Sequence, residues 1–264
     1  MSEDFDSALT YTSYLKVNEL LSLQHPLSEG PEHDELLFIV IHQSYELWFK
    51  QILHEFSAAA QALESGDSHY ALALLGRIRT IMKVCVTQVD ILETMTPLQF
   101  NAFRGYLSSS SGFQSAQFRK IEAVLGRRDE KMAGHLPDDV QSEIKEIVAR
   151  PSIWDSFLLY VNSRGHKIPQ SILQRDPVIA YESNFEVQDA LLDLHRNDPE
   201  GALVAERLVD IDEGIQEWRY RHVKMVERTI GAKMGTGGSS GVAYLAATLF
   251  NPVFKDLWEI RSRF

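Results

Sequence analysis

Among its 264 residues the chain has a single cysteine, Cys85, so it can form no internal disulfide. A reducing cytoplasm is the expected compartment. No apolar run reaches the roughly 18 residues that a membrane-spanning helix needs. The opening stretch, residues 1–15, lacks the basic start and apolar core of a secretory signal. There is no basic tract, and the net charge is −11, which argues against nucleic acid or an anionic membrane surface as a partner. Asn-Gly turns and sustained alternation of period two are both missing, so nothing announces β-hairpins. The 9 prolines and 15 glycines do not cluster in a way that would cut the chain into two domains, and no internal repeat is present. An HExxH motif is absent and no glutamate lies three residues before a histidine, against zincins and ferritin-like di-iron sites. No CxxCH occurs, so any haem would be held without covalent attachment.

What is present is helical patterning around an ample apolar complement, 44% of the residues. From Glu35 to about Leu63, Phe38, His42, Tyr45, Phe49, Ile52 and Phe56 recur at steps of four and three, one face of a helix. Helices are also expected over 69–95, over 139–149 up to Pro151, over 186–196 and over 202–230. The expected fold is all-α, one large domain over 1–264. Three irregular places interrupt it: a linker at 22–33, the run Ser108-Ser-Ser-Ser-Gly112, and the glycine-rich stretch 235–241.

Several residues on this frame could carry chemistry. His222 lies on a line with Ile215, Trp218, Met225 and Thr229. A histidine on an apolar helix face is usually a packed core residue, but one proximal histidine is also enough to hold a haem. His42, among aromatics, is either another core histidine or a polar group in an aromatic-lined pocket. Arg104 lies one helical turn after Phe100. Its guanidinium could stack at a surface or pair in a planar fork with a substrate carboxylate. GTGGSSG (235–241) has no following Gly-Lys-Ser/Thr and does not complete GxGxxG, leaving a linker or a closing lid. His33-Asp-Glu35 has part of the spacing of a non-haem iron triad, but sits in a polar linker where solvated side chains are the ordinary case.

Five blocks together, in order and spacing, resemble the tryptophan 2,3-dioxygenase family: Tyr11-Thr-Ser-Tyr14-Leu15, HDELLFIVIHQSYELWFKQILHE (33–55), LETMTPLQFNAFRGYL (92–107), SGFQSAQFRKIE (111–122) and WRYRHVKMVERTIGAKMGTGGSSG (218–241). The resemblance implies a helical, cytoplasmic homotetramer, a dimer of dimers, with one haem b per subunit, ferrous when active. Its substrates would be L-tryptophan and O₂, its product N-formyl-L-kynurenine. It implies His222 as the proximal iron ligand and His42 as the partner of the indole N–H. Arg104 would hold the carboxylate, with Thr236 helping to bind the amino-acid end. Phe38, Phe100 and Leu107 would wall the indole, and Ser111 and Gly112 would approach the haem. Tyr11 and Tyr14, in an N-terminal segment of about residues 1–30 that exchanges onto a neighbouring subunit, would help close that neighbour's pocket. Phe100 stands where some relatives have tyrosine, so Arg104 would carry more of the carboxylate contact. The chain also lacks the longer C-terminal tail of animal members, which leaves the packing of its own C-terminal end open.

Overall fold

The computed structural model describes residues 9–108, 110, 112–129, 132–231, 233 and 242–264. Among them every regular element is a helix, as the patterning led us to expect. None of these helices is long and apolar enough to cross a membrane.

Three long helices form the body: α3 (His33–Glu64), α4 (Ser68–Leu92) and α11 (Pro199–Ile230). Helices α3 and α4 turn back on each other through Gly66, whose φ of +78° is a conformation that suits glycine. Asp67 then caps α4 by accepting from the Tyr70 amide at 2.9 Å. The anticipated face of α3 is the buried one: Tyr45, Phe49, Ile52 and Phe56 all enter the core. Leu74, Leu75 and Ile78 of α4 and Val204, Leu208 and Ile211 of α11 meet it there. The helices α7 (Asp138–Val148) and α10 (Phe185–Asn197) fall within a residue or two of the expected ranges.

Shorter helices fill in around this body. Their starts are set by local capping that hydrophobic periodicity does not display. Thr96 and Gln99 form a reciprocal capping box at α5 (Pro97–Arg104), and Ser152 with Asp155 does the same at α8 (Ile153–Ser163). Ser115 caps α6 (Ala116–Val124), and α9 is a single turn at Gln170–Leu173. At the α10–α11 corner a Cβ on Gly201 would stand 2.5 Å from Leu194 Cδ1, so any larger residue there would force that buried side chain to move.

Two buried carboxylates hold the C-terminal end, whose packing the sequence left open. Asp212 on α11 accepts from the Val253 and Phe254 amides at 2.8 and 3.0 Å and from the Trp258 indole N–H at 2.9 Å. Asp256, in α13 (Lys255–Glu259), accepts from the Tyr181 hydroxyl and, at 2.9 Å, from Gln188. Each is fully buried, so each needs these donors to offset its lost hydration. A five-residue helix, α12 (Val242–Ala246), precedes this anchored end.

At the other end, α1 (Tyr11–Leu15) and α2 (Val17–Leu21) bury no residue at all. Yet Leu9, Tyr11, Tyr14 and Leu21 are apolar or aromatic and at least two-thirds exposed. The expected linker at 22–33 is irregular up to Glu32 but is not loose. The buried Glu35 carboxylate accepts from the Leu27 and Ser28 amides at 2.7 and 3.0 Å, and from the Ser28 hydroxyl.

Candidate functional site

A cavity of about 240 Å³ opens between α3, α5, α6 and α11. It gathers seven of the residues singled out from the sequence: Phe38, His42, Phe100, Arg104, Leu107, Gly112 and His222. Tyr11 and Tyr14 do not border it, and stand 76% and 69% exposed on α1. Thr236 and Ser111 lie outside the described residues, as does the whole 235–241 stretch.

The α3 wall is built by helical spacing. Phe38 and His42 lie one turn apart, their ring centres separated by 4.1 Å. The Nδ1 of His42 is 2.7 Å from the Phe38 carbonyl oxygen, which can only accept, so the neutral ring carries its proton on Nδ1. Its Nε2 is then an acceptor. Burial lowers the pKa of this imidazole, against opposing contributions from the Phe38 carbonyl and the nearby Glu46 carboxylate. Phe38 also meets Phe100 and Phe103 of α5 at 5.9 and 5.6 Å, forming an apolar floor beneath the same opening. Arg104, the last residue of α5, brings a guanidinium to the edge of that floor.

The α11 wall carries His222. Its ring lies nearly parallel to Trp218, 6° between planes and 5.1 Å between centres, and Trp218 is backed by Phe118 at 4.8 Å. Burial pushes the His222 pKa down to about 4, with nearby His42 and Arg119 adding to the effect. Both histidines keep some accessible surface because they border the cavity, but protein encloses them on their other sides. At pH 7 His222 is a neutral imidazole, and it makes no hydrogen bond to any described residue. An imidazole with an uncommitted nitrogen lone pair, facing an enclosed space, has the chemistry of a metal ligand.

One side of the cavity is cationic. Arg119, Arg127 and Arg219 converge on the single buried carboxylate of Glu122, at 2.5, 3.0 and 3.6 Å, and Arg127 also reaches the exposed Asp129. Burial lowers the Arg219 pKa, with Glu122 opposing. In the sequence Phe118, Arg119 and Glu122 are ordinary members of the block 111–122, with nothing to mark a role. Their spacing on α6 is ordinary, and what distinguishes them is the approach of α11. No group of three or more His, Cys, Asp or Glu side chains that could hold a bare metal ion occurs among the described residues. The His222 imidazole, with neither nitrogen engaged by a described residue, beside an aromatic, cation-edged cavity instead fits iron held in a porphyrin. A b-type haem carries two carboxylates, which suit the guanidinium cluster.

Comparison with known proteins agrees with this arrangement. Residues 1–151 and 195–264 match the family model described as tryptophan 2,3-dioxygenase. The chain is 55% identical over 258 residues to a tryptophan 2,3-dioxygenase of Herpetosiphon aurantiacus, covering 97% of this chain and 98% of that protein. To one of Anaeromyxobacter sp. strain K it is 55% identical over 259 residues, 97% and 96% of the two chains. To one of Caulobacter vibrioides it is 43% identical over 262 residues, 97% and 98% of the two.

Proposed function

The chain belongs to the tryptophan 2,3-dioxygenase family, and we propose that the cavity between His42 and His222 is where it carries out that family's reaction. The reaction adds both atoms of O₂ across the indole C2–C3 bond of L-tryptophan and opens the ring to N-formyl-L-kynurenine. It is haem-dependent throughout the family. The observation that carries the assignment is the pair of neutral imidazoles bordering one cavity, each with a nitrogen that no described residue engages.

In this reading His222 is the protein ligand to the iron of one haem b per subunit, and the cluster of Arg119, Arg127 and Arg219 receives the haem carboxylates. Gly112, and Ser111 beside it, border the haem. Ferrous haem, when bound, supplies the activation of O₂, while the protein supplies placement. The residues of the chain then have separate tasks. His42 accepts the indole N–H at Nε2, because its Nδ1 proton is already given to Phe38. Phe38, Phe100 and Leu107 enclose the ring and exclude water. Arg104 pairs with the substrate carboxylate, and Thr236 adds a contact at the same end. Fixing the ring and the amino-acid end together removes the freedom that a bimolecular encounter would otherwise have to lose, an effect worth up to ~7–11 kcal/mol in favourable cases.

The purified protein tests this directly. It should show a Soret band that shifts when L-tryptophan is added, and the ferrous form should produce N-formylkynurenine under O₂. A haem-loaded protein that binds L-tryptophan nowhere near the haem would overturn the assignment.

His42→Ala should keep its haem and slow turnover without abolishing it. One hydrogen bond contributes about 0.5–1.5 kcal/mol net, or roughly a two- to twelve-fold loss. Addition of oxygen to the indole requires no prior removal of its N–H proton. Complete inactivity of a haem-loaded variant would instead assign His42 an essential acid–base role.

The subunits would assemble as a homotetramer, a dimer of dimers, in the cytoplasm. Helices α1 and α2 expose apolar side chains and bury none of their own residues, which supports their lying over a neighbour's cavity with Tyr11 and Tyr14 closing it. Deleting residues 1–20 should leave haem bound, weaken L-tryptophan binding and disturb assembly. Mixing the truncated protein with Arg104→Leu, under verified subunit exchange, should restore activity wherever an intact segment covers an intact pocket. If exchange occurs without recovery while the truncated protein binds substrate normally, the segment does not complete a neighbour's site.

A further inference from the structure

Glu46 lies one helical turn beyond His42 on α3, half-buried at the border of the cavity. Its carboxylate does not point to bulk water as an ordinary surface glutamate would. One oxygen accepts from the Ser115 hydroxyl at 2.6 Å, and the other accepts from the Gln117 amide at 2.9 Å. The same Gln117 amide group reaches the Glu46 backbone carbonyl at 2.7 Å. Side chain and backbone of one α3 residue are thus both engaged by residues 69 and 71 positions later in the chain.

The partners matter because of what they start. The Ser115 hydroxyl gives its proton to Glu46 while its oxygen caps α6, accepting from the Phe118 amide at 3.2 Å. Immediately before Ser115 is the short turn Gly112–Gln114, which brings Gly112 to the cavity. Immediately after it come Phe118, which backs the Trp218 ring stacked on His222, and then Arg119 and Glu122 of the cationic edge. A movement of the α6 start relative to α3 would shift all of these against His42 and Phe38.

We infer that Glu46 is a positioning residue for the reaction: it fixes the α6 side of the cavity in register with the α3 side that carries His42. The inference rests on the assignment of the cavity made above. Glu46 does not touch the reacting atoms in this account. It acts through Ser115 and Gln117, whose two donors the charged carboxylate accepts together. In Glu46→Gln the charge is lost and one oxygen becomes an NH₂ group, so both charge-assisted bonds weaken and the Ser115 hydroxyl must turn round to accept if its contact is to survive.

The test uses the haem-loaded protein and begins with the wild type. If the wild type takes up no haem or forms no N-formylkynurenine, the cavity assignment fails and this inference with it, an outcome distinct from a failure confined to Glu46. With the wild type active, Glu46→Gln should melt close to the wild-type temperature and keep its haem. Its haem circular dichroism should change, and kcat/KM for L-tryptophan should fall by about 10- to 100-fold, the usual cost of losing an outer partner that orients a site. Ser115→Ala should change the dichroism in the same direction, and the double variant should be no worse than Glu46→Gln alone, because the two changes break one connection. Glu46→Asp, which keeps both acceptors at a shorter reach, should recover part of the loss. If Glu46→Gln does not fold, Ser115→Ala and Gln117→Leu carry the test, and both must show the dichroism change. A folded Glu46→Gln with unaltered haem dichroism and kcat/KM within about twofold of wild type would overturn the inference, since orienting partners cost more than that.

Discussion

Replacing His222 by alanine is expected to give a folded protein that has lost most of its haem. The imidazole makes no hydrogen bond to a described residue, so its removal leaves no buried donor or acceptor without a partner there. The fold loses one face of a stacked pair, Trp218 against His222, and the other contacts of Trp218 with Phe118, Phe49 and Tyr45 remain. Iron binding, by contrast, depends on the nitrogen lone pair. Burial holds the His222 pKa near 4, so that lone pair is available across the neutral range and no proton must leave before the metal can bind. The measurement is the ratio of Soret to protein absorbance after reconstitution, beside a thermal melt. Added imidazole should restore part of the absorbance by filling the vacated position. Full haem content with an unchanged ferrous spectrum would show that iron is held elsewhere.

Arg104→Leu should damage turnover of L-tryptophan far more than binding of tryptamine, which has the indole and the ammonium but no carboxylate. Leucine keeps an apolar side chain at the border of the cavity and removes the charge and the donors. Truncating one partner of a buried charged pair typically costs ~3–5 kcal/mol, roughly a 10²- to 10⁴-fold loss, because the other partner is left desolvated and unpaired. The upper end applies only if closure of the site excludes water from the pair. Tryptamine affinity, measured as a spectral shift of the haem, should change little. Equal losses for both ligands would remove Arg104 from recognition of the carboxylate.

The parts of this protein that were legible in its sequence are those encoded at short range. The alternating steps from Phe38 to Phe56 mark one face of a helix, and that face is buried from Tyr45 onward. The one-turn spacing of Phe100 and Arg104 held because α5 spans both. Periodicity could not decide whether His42 and His222 are core residues or site residues, since a histidine on an apolar face looks the same in either case. The difference lies in whether another segment offers its nitrogens a partner, and that segment is remote in sequence. The resemblance to a family, not the spacing, supplied the roles. Glu46 passed unnoticed for the same reason: on α3 it is one more polar residue, and its meaning comes from Ser115 and Gln117. The guanidinium cluster likewise exists only because Arg219 of α11 comes to the buried Glu122 of α6. The irregular linker was recognised from composition, but composition could not show that Glu35 pins it.

The buried Asp212 also sets what this chain can tolerate as it diverges. Its bonds to Val253, Phe254 and Trp258 tie the chain near residue 253 back to α11, so the segment between them has both ends anchored. The entropy of closing a loop grows only with the logarithm of its length, and doubling the length costs about 0.6 kcal/mol. Insertions and deletions between the two anchors are therefore cheap, while loss of the Asp212 carboxylate is not, because three buried or half-buried donors would lose their acceptor together. Mutation can rewrite the length and composition of the segment that carries Thr236 while the helical body keeps its shape. On the role proposed above for Thr236, substrate preference would drift there without a matching loss of foldability, provided that Asp212 stays.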